Sequence, residues 1–287
     1  MKKITALSLG MVLFSLSCWL AACNRPVSPA PGIPVTGDTA PPGTATAPAV
    51  SPLVTPTSTA LVPVHGSALS FDGQNDYVIV AQDPSLDLTD SFTIAAWIYL
   101  DSYTGWASIV TKGDKPNVNN YALQQSEAVD PVYHTQFGRL RFTGCTTLPV
   151  PFPESQTVLP LKTWHFVAVT FDGEQIRFYT DGRPDGSSAV RGPLCINDKP
   201  LYIGVDFPLT TEYWHGAIDE LQLWNVALSD IQIQSLMSGA QPAADASLVG
   251  YWPFDEGLGP IAHDQSPYGN HGQLMGNPTW IKPNSYP

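Results

Sequence analysis

"WHFVAVTFDGEQIRFYTDGRPDG" occupies Trp164 to Gly186. It reads as two strands, broken at Asp172–Gly173 and again at Asp181–Gly182. Asp-Gly supplies the positive φ that a tight hairpin turn demands. Upstream, in "SFTIAAWIYLD" (91–101), Phe92, Ile94, Ala96, Ile98 and Leu100 fall on one face of a strand. Thr93, Ala95, Trp97 and Tyr99 fall on the other. Both faces are largely apolar, as in a central strand between two covering layers. "GRLRFTG", "PLYIGVDF" and "AIDELQLWNVAL" are further strands. Short strands at such spacing predict a two-sheet sandwich.

One helix interrupts the pattern, at "LSDIQIQSLMSG" (228–239). Ser229 can N-cap it, Gln232 completes a capping box, and Leu228 and Ile233 are placed as a hydrophobic staple. Gly239 can end it.

Charged residues are only 13% of the 287, against 23 Gly and 28 Pro, a mixture that suits strands and turns rather than helices. Residues 1–64 carry a net +2 and the remainder −14. So acidic a surface argues against nucleic acid or anionic membrane as a direct partner of the domain. It permits calcium, a hard cation that takes oxygen ligands.

The N-terminus reads as an address. Lys2 and Lys3 precede an apolar run from Ile4 to Leu20, the length of a signal-peptide core. "LAAC" (Leu20–Cys23) resembles a bacterial lipobox, which implies lipidation of Cys23 and a signal peptide over 1–22. The membrane contact is then the lipid alone. The expected location is the cell envelope, at an outer membrane if the cell has one. Residues 23–64 are rich in Pro, Thr, Ser and Ala and lack aromatics after Cys23. Such a segment cannot bury a core and reads as a disordered tether. Of the four cysteines, Cys145 and Cys195 remain in the domain, and an exported pair without metal-type spacing reads as a disulfide.

"ALSFDGQNDYVIV" (68–80), "SFTIAAWIYLD", "WHFVAVTFDGEQIRFYTDGRPDG", "LYIGV" (201–205) and "GAIDELQLWNVALSDIQIQSLMSG" (216–239) together resemble the laminin-G-like, concanavalin A-like jelly rolls, with the pentraxins as distant relatives. The resemblance covers about residues 65–287. It implies an all-β fold: a two-sheet antiparallel jelly-roll sandwich with one short helix. In that family, a stretch like "GYWPFDEG…DQSPYGNHGQLMGNPTW" usually precedes the "FDGQNDYV" strand. Here it follows the helix. About 38 residues are too few for a core of their own. A permuted strand order is therefore expected, with 249–287 as a terminal hairpin and Trp252, Phe254 and Trp280 in the core.

The resemblance also implies a calcium ion where the terminal strands meet, with oxygens from Asp219, from Asp255 or Glu256, and from the turn at Asp72. A second, pentraxin-like location would use Asp206 with Asp114 or Asn117. The alternative is that these acids only shape turns. Loop aromatics Tyr103, Trp106, Tyr213 and Trp214 are candidates for stacking on a sugar ring, or else cap the core. His165, His215, His263 and His271 read as turn or strand residues. Asp255 and Glu256, as neighbours along a strand, would face opposite ways and could not flank one bond. The six glutamates include no E-x-D-x-x-E set on one strand. The leading expectation is a surface-displayed binding module, not an enzyme, with an extracellular glycan or protein as ligand. The alternatives are a structural or adhesive envelope component and a glycan hydrolase.

Overall fold

The computed structural model describes residues 66–113, 120–127, 136–145, 152–207, 211–240 and 245–283. Cys23, the tether, Asp114 and Asn117 lie outside them. The strands are β1 (Ala68–Asp72), β2 (Tyr77–Val80), β3 (Phe92–Leu100), β4 (Ser108–Lys112), β5 (Tyr121–Gln125), β6 (Leu140–Gly144), β7 (Trp164–Phe171) and β8 (Gln175–Thr180). They continue as β9 (Arg183–Ala189), β10 (Leu201–Ile203), β11 (His215–Trp224), β12 (Leu248–Trp252), β13 (Ile261–Ala262), β14 (Gly272–Met275) and β15 (Thr279–Ile281), with helix α1 (Asp230–Met237) before β12.

Two antiparallel sheets result. Sheet A has the order β15-β1-β11-β3-β7-β8-β9, with β12 also pairing β11. Sheet B has the order β13-β14-β2-β10-β4-β5-β6. The stretch 164–186 supplies β7, β8 and the start of β9. Asp181 and Gly182 both take positive φ (50° and 71°), the twist a two-residue hairpin needs.

The two faces of β3 divide as its alternation predicts. Phe92, Ile94, Ala96, Ile98 and Leu100 enter the core between the sheets, with Phe71, Phe178, Trp214 and Trp252. Ala95, Trp97 and Tyr99 form a second apolar layer with Trp224, Leu228, Ile233 and Leu236. That layer lies between sheet A and α1. The helix is held by the expected capping box at Ser229 and Gln232. Gly239 follows it at φ 80°.

The C-terminal stretch is integral but is not one hairpin. β12 and β15 join sheet A, on β11 and β1. Only β13 and β14 pair as a hairpin, and they extend sheet B beside β2. Trp252 and Phe254 are fully buried, while Trp280 packs against the core half-buried. β3 covers one side of β11 along its length; β1 and β12 share the other. Their junction falls at a bulge, where Glu220 adopts φ 51°.

Candidate functional site

Trp106 stands two residues before β4, at φ 67°. A positive φ is a genuine outlier for a bulky side chain and is kept only where surrounding contacts impose it. The backbone N–H of Trp106 donates to Gln125 O (3.2 Å), and its Nε1–H donates to Glu127 Oε2 (2.9 Å). Strand alternation on β6 sends Phe142 into the core and Arg141 to the opposite face. There the guanidinium lies 4.4 Å from the Trp106 ring centre and 5.1 Å from that of Phe152. The Phe152 ring meets Trp106 edge-on at 6.2 Å. Glu154 and Glu127 pair with Arg141 at 3.3 and 3.6 Å. Ser126 Oγ–H donates to Glu154.

Arg141 is buried, yet among the described residues its Nε and Nη1 make no hydrogen bond; nor do Gln125 Nε2 and Arg139 Nε. Buried donors without acceptors are uncommon and call for an explanation. Beside them lies an apolar rim. Phe137, Phe152 and Val158 are 37%, 45% and 37% exposed. Tyr103 completes it, its hydroxyl donating to Leu159 O (2.6 Å) and its ring packed over Gly138. The rim thus offers aromatic surface, unsatisfied donors and carboxylate acceptors together. These are the elements that recognise a molecule with an apolar face and many hydroxyls. The sequence reading singled out Tyr103 and Trp106 but missed Phe137, Gln125, Phe152 and the Glu127–Arg141–Glu154 group. Parity alone could have placed Arg141 on the outer face, since Leu140 and Phe142 mark the inner one.

The other proposed sugar contacts are not part of this rim. Trp214 lies wholly within the inter-sheet core and has no ring face to offer. Its neighbour Tyr213, on the opposite side of the chain, packs with Tyr77 and Tyr202 on the outer face of sheet B and is 7% exposed. Asp206 lies on that face too, accepting from Ser108 Oγ and Thr111 Oγ1 at 3.3 and 3.2 Å.

The acids expected at calcium do not all come together. Asp219 sits at the bulge between β1 and β12, fully buried; its Oδ2 has no hydrogen-bond partner among the described residues. Burial, then the charges of Glu220 and Asp255, hold its carboxyl well above the ordinary range. Asp255 closes the same junction by accepting from Ser67 N (3.0 Å). Glu256 turns away to accept from His263 N (2.7 Å). Neither Asp255 nor Glu256 is in a strand: the chain leaves β12 through Phe254 at φ 54°, and the two carboxylates still diverge. Asp72 lies at the far end of β1, opposite His215, where it accepts from Gln74 N and Asn75 N as a turn residue. Among the described residues no three His, Cys, Asp or Glu side chains converge on one point. An orphaned buried oxygen beside a second carboxylate fits a hard-cation ligand at Asp219 and Asp255; Asp72 and Glu256 do not join them.

Asp219 carries a signed prediction. Its folded carboxyl titrates above its unfolded value near 3.8, so the folded state holds its proton more tightly. Stability from this group is present below the unfolded value and is lost as pH rises toward the raised folded one. In chelator at neutral pH, Asp219→Asn is therefore expected to melt higher than the parent, with the gain shrinking toward pH 4. Thermal melts across pH check this; a lower melting temperature at neutral pH refutes it.

Comparison with known proteins bears on this arrangement. A laminin G family model, described as the concanavalin A-like lectin/glucanases superfamily, matches residues 72–234. The chain belongs to this superfamily. No curated protein sequence matches it significantly. Solved structures similar to this concanavalin A-like chain include a proposed carbohydrate-binding protein of Bacteroides ovatus, at 21% identity and TM-score 0.62 over 79% of this chain. The chain spans 61% of that protein's length. Domain 4 of the arabinanase AbnA from Geobacillus stearothermophilus, in complex with arabinotriose, is similar at 18% identity and TM-score 0.45, over 59% of this chain and 76% of that one. A SAP-like pentraxin of Limulus polyphemus is similar at 17% and 0.42, over 61% and 83%. At these identities the likeness is one of fold. The Cys145–Cys195 disulfide is present.

Proposed function

We propose that this concanavalin A-like domain is a glycan-binding module without turnover, exported and held in the cell envelope by lipid on Cys23. One observation carries the ligand class. Buried donors of Arg141 and Gln125 with no hydrogen-bond partner among the described residues lie with carboxylate acceptors beside the Trp106–Phe152 rings. Sugar hydroxyls both donate and accept, and the C–H face of a pyranose suits an aromatic ring. The resemblance in fold to a proposed carbohydrate-binding protein supports the same reading. Glu127 and Glu154 are not an acid/base pair on this reading. A guanidinium links them, and both carboxylates are engaged in pairing with it.

Calcium would be held at Asp219 and Asp255, neutralising the buried carboxylate where β1 and β12 meet. Its role there is structural, since the junction pins both strands to β11. Binding would add about 2.7 kcal/mol of stability at a hundredfold excess over its dissociation constant.

The test is a glycan array probed with the purified full chain, in calcium and in chelator. Phe152→Ala, at an exposed ring, and Trp106→Ala are each expected to weaken the sugar hits by about tenfold or more, roughly 1.4 kcal/mol. Unchanged binding in both variants refutes the rim. Released reducing ends would support a hydrolase instead. Protein partners recovered by cross-linking, without sugar hits, would support the adhesive alternative. In the same cells, a Cys23→Ala chain that remains in the membrane fraction removes the lipid anchor from the proposal.

A further inference from the structure

A second cleft opens at the other end of the sandwich. β3 runs nine residues, from Phe92 to Leu100, about 30 Å at the usual rise. Tyr103 and Trp106 follow its last residue. The cleft precedes its first. Asp87, Thr89, Asp90 and Ser91 form one wall, Asn225 and Tyr268 line the other, and the buried Val249 lies at its floor. Its volume is about 400 Å³, room for one or two sugar rings and within the range of ligand pockets.

The cleft is braced by neighbouring contacts. The ring of Tyr268 is 43% exposed, but its hydroxyl is tied to Ala246 O (3.0 Å). Its backbone N–H donates to Ser266 Oγ (3.3 Å). Asn225 is held through its main chain: its N–H donates to Ser247 O (2.9 Å), and its carbonyl accepts from Ser91 Oγ (3.1 Å). Asn225 is exposed, and its carboxamide offers one acceptor and two donors. Asp90 accepts from Thr89 Oγ1 through Oδ2 (3.0 Å), and its Oδ1 has no such bond among the described residues. Asp87 is charge-matched by the buried Lys112 at 3.1 Å. Asp90 has no cation paired with it among the described residues.

We infer that this cleft is a second glycan site, separate from the Trp106 rim, that takes a neutral pyranose. Tyr268 receives the C–H face of the ring. Asp90 accepts hydrogen bonds from adjacent hydroxyls, and the Asn225 carboxamide both donates and accepts. Asp90, with no paired cation among the described residues, disfavours sulfated, phosphorylated or uronic sugars by like charge. With sites at both ends of one rigid strand, a single domain joins two glycan chains. Its retention on a surface that presents many of them then exceeds what either site gives alone.

The experiment titrates the purified full chain with the methyl glycosides of glucose, galactose, mannose and N-acetylglucosamine, following the assigned ring resonance of Tyr268. At least one glycoside is expected to move that resonance saturably. Its affinity should fall about tenfold or more in Asp90→Ala and in Asn225→Ala, both exposed positions that keep the parent melting temperature. Trp106→Ala should leave it unchanged, which separates this site from the rim. Three results overturn the inference: no glycoside moves the ring; the shift survives Asp90→Ala combined with Asn225→Ala; or the shift disappears in Trp106→Ala. Methylammonium moving the ring where every glycoside fails would also overturn it, because the cleft would then be an amine site.

Discussion

A chain that ends at Ala246 is expected not to fold. The removed residues include β12, β13, β14 and β15, so both sheets lose strands at once. Sheet A loses the partner of the second half of β11 and the outer neighbour of β1. Sheet B loses the neighbour of β2. Trp252 and Phe254, both fully buried, vacate the inter-sheet core. Truncating a buried aromatic alone costs about 3–5 kcal/mol, against a typical total of roughly 5–15 kcal/mol. The loop between β13 and β14 is also wired inward. Asp264 accepts from Tyr251 N, Ser266 N and Asn270 N at 2.7, 2.8 and 2.7 Å, and Trp252 Nε1–H donates to Asn270 O at 3.0 Å. Circular dichroism and thermal melting read the result. Trp252→Ala in the full chain should lose about 3–5 kcal/mol. A truncated chain that melts where the parent does would show the segment to be an appendage.

Reduction of Cys145–Cys195 should have an effect of similar size. The bond closes a loop of 50 residues that contains β7, β8 and β9, three adjacent strands of sheet A. In the chain-entropy account, such a closure stabilises by about 4 kcal/mol, through the unfolded state. The paired variant Cys145→Ser with Cys195→Ser is expected to melt well below the parent and to ignore reductant. The parent should fall to the variant's level when reduced. Equal melting temperatures with and without reductant would refute the contribution.

The strands were legible because their signals are local. Period-two alternation in 91–101 named both faces of β3, the Asp-Gly pairs named two turns, and Ser229 with Gln232 named the helix start. What depended on distant partners was not legible. The division of 249–281 between two sheets rests on which strand edges stand open, and no short window records that. Asp219 and Glu220 read as ordinary strand residues, yet they form the bulge. Tyr213 and Trp214 read alike as loop aromatics, but one-residue alternation sends the first outward and buries the second. Of the candidate ligand residues, Tyr103 and Trp106 come together at one rim. The acidic partners of Arg141 come from 127 and 154, on either side of it in sequence, and only pairing brings them within reach.

The position of β1 has a mechanical consequence. It begins at Ala68 and runs toward the end that carries Trp106, where Asp72 lies opposite His215 and Asp101 N donates to His215 O. If the Trp106 rim is held and the chain is pulled from before Gly66, the force acts along β1. It drags the strand lengthwise against β11 and β15, so the rungs on both sides resist together, in shear. If the grip is at Tyr268 instead, the same pull turns Ala68 back over the sheet, and the rungs open in succession, like a zipper. The grip at Trp106 is the one the domain withstands longer.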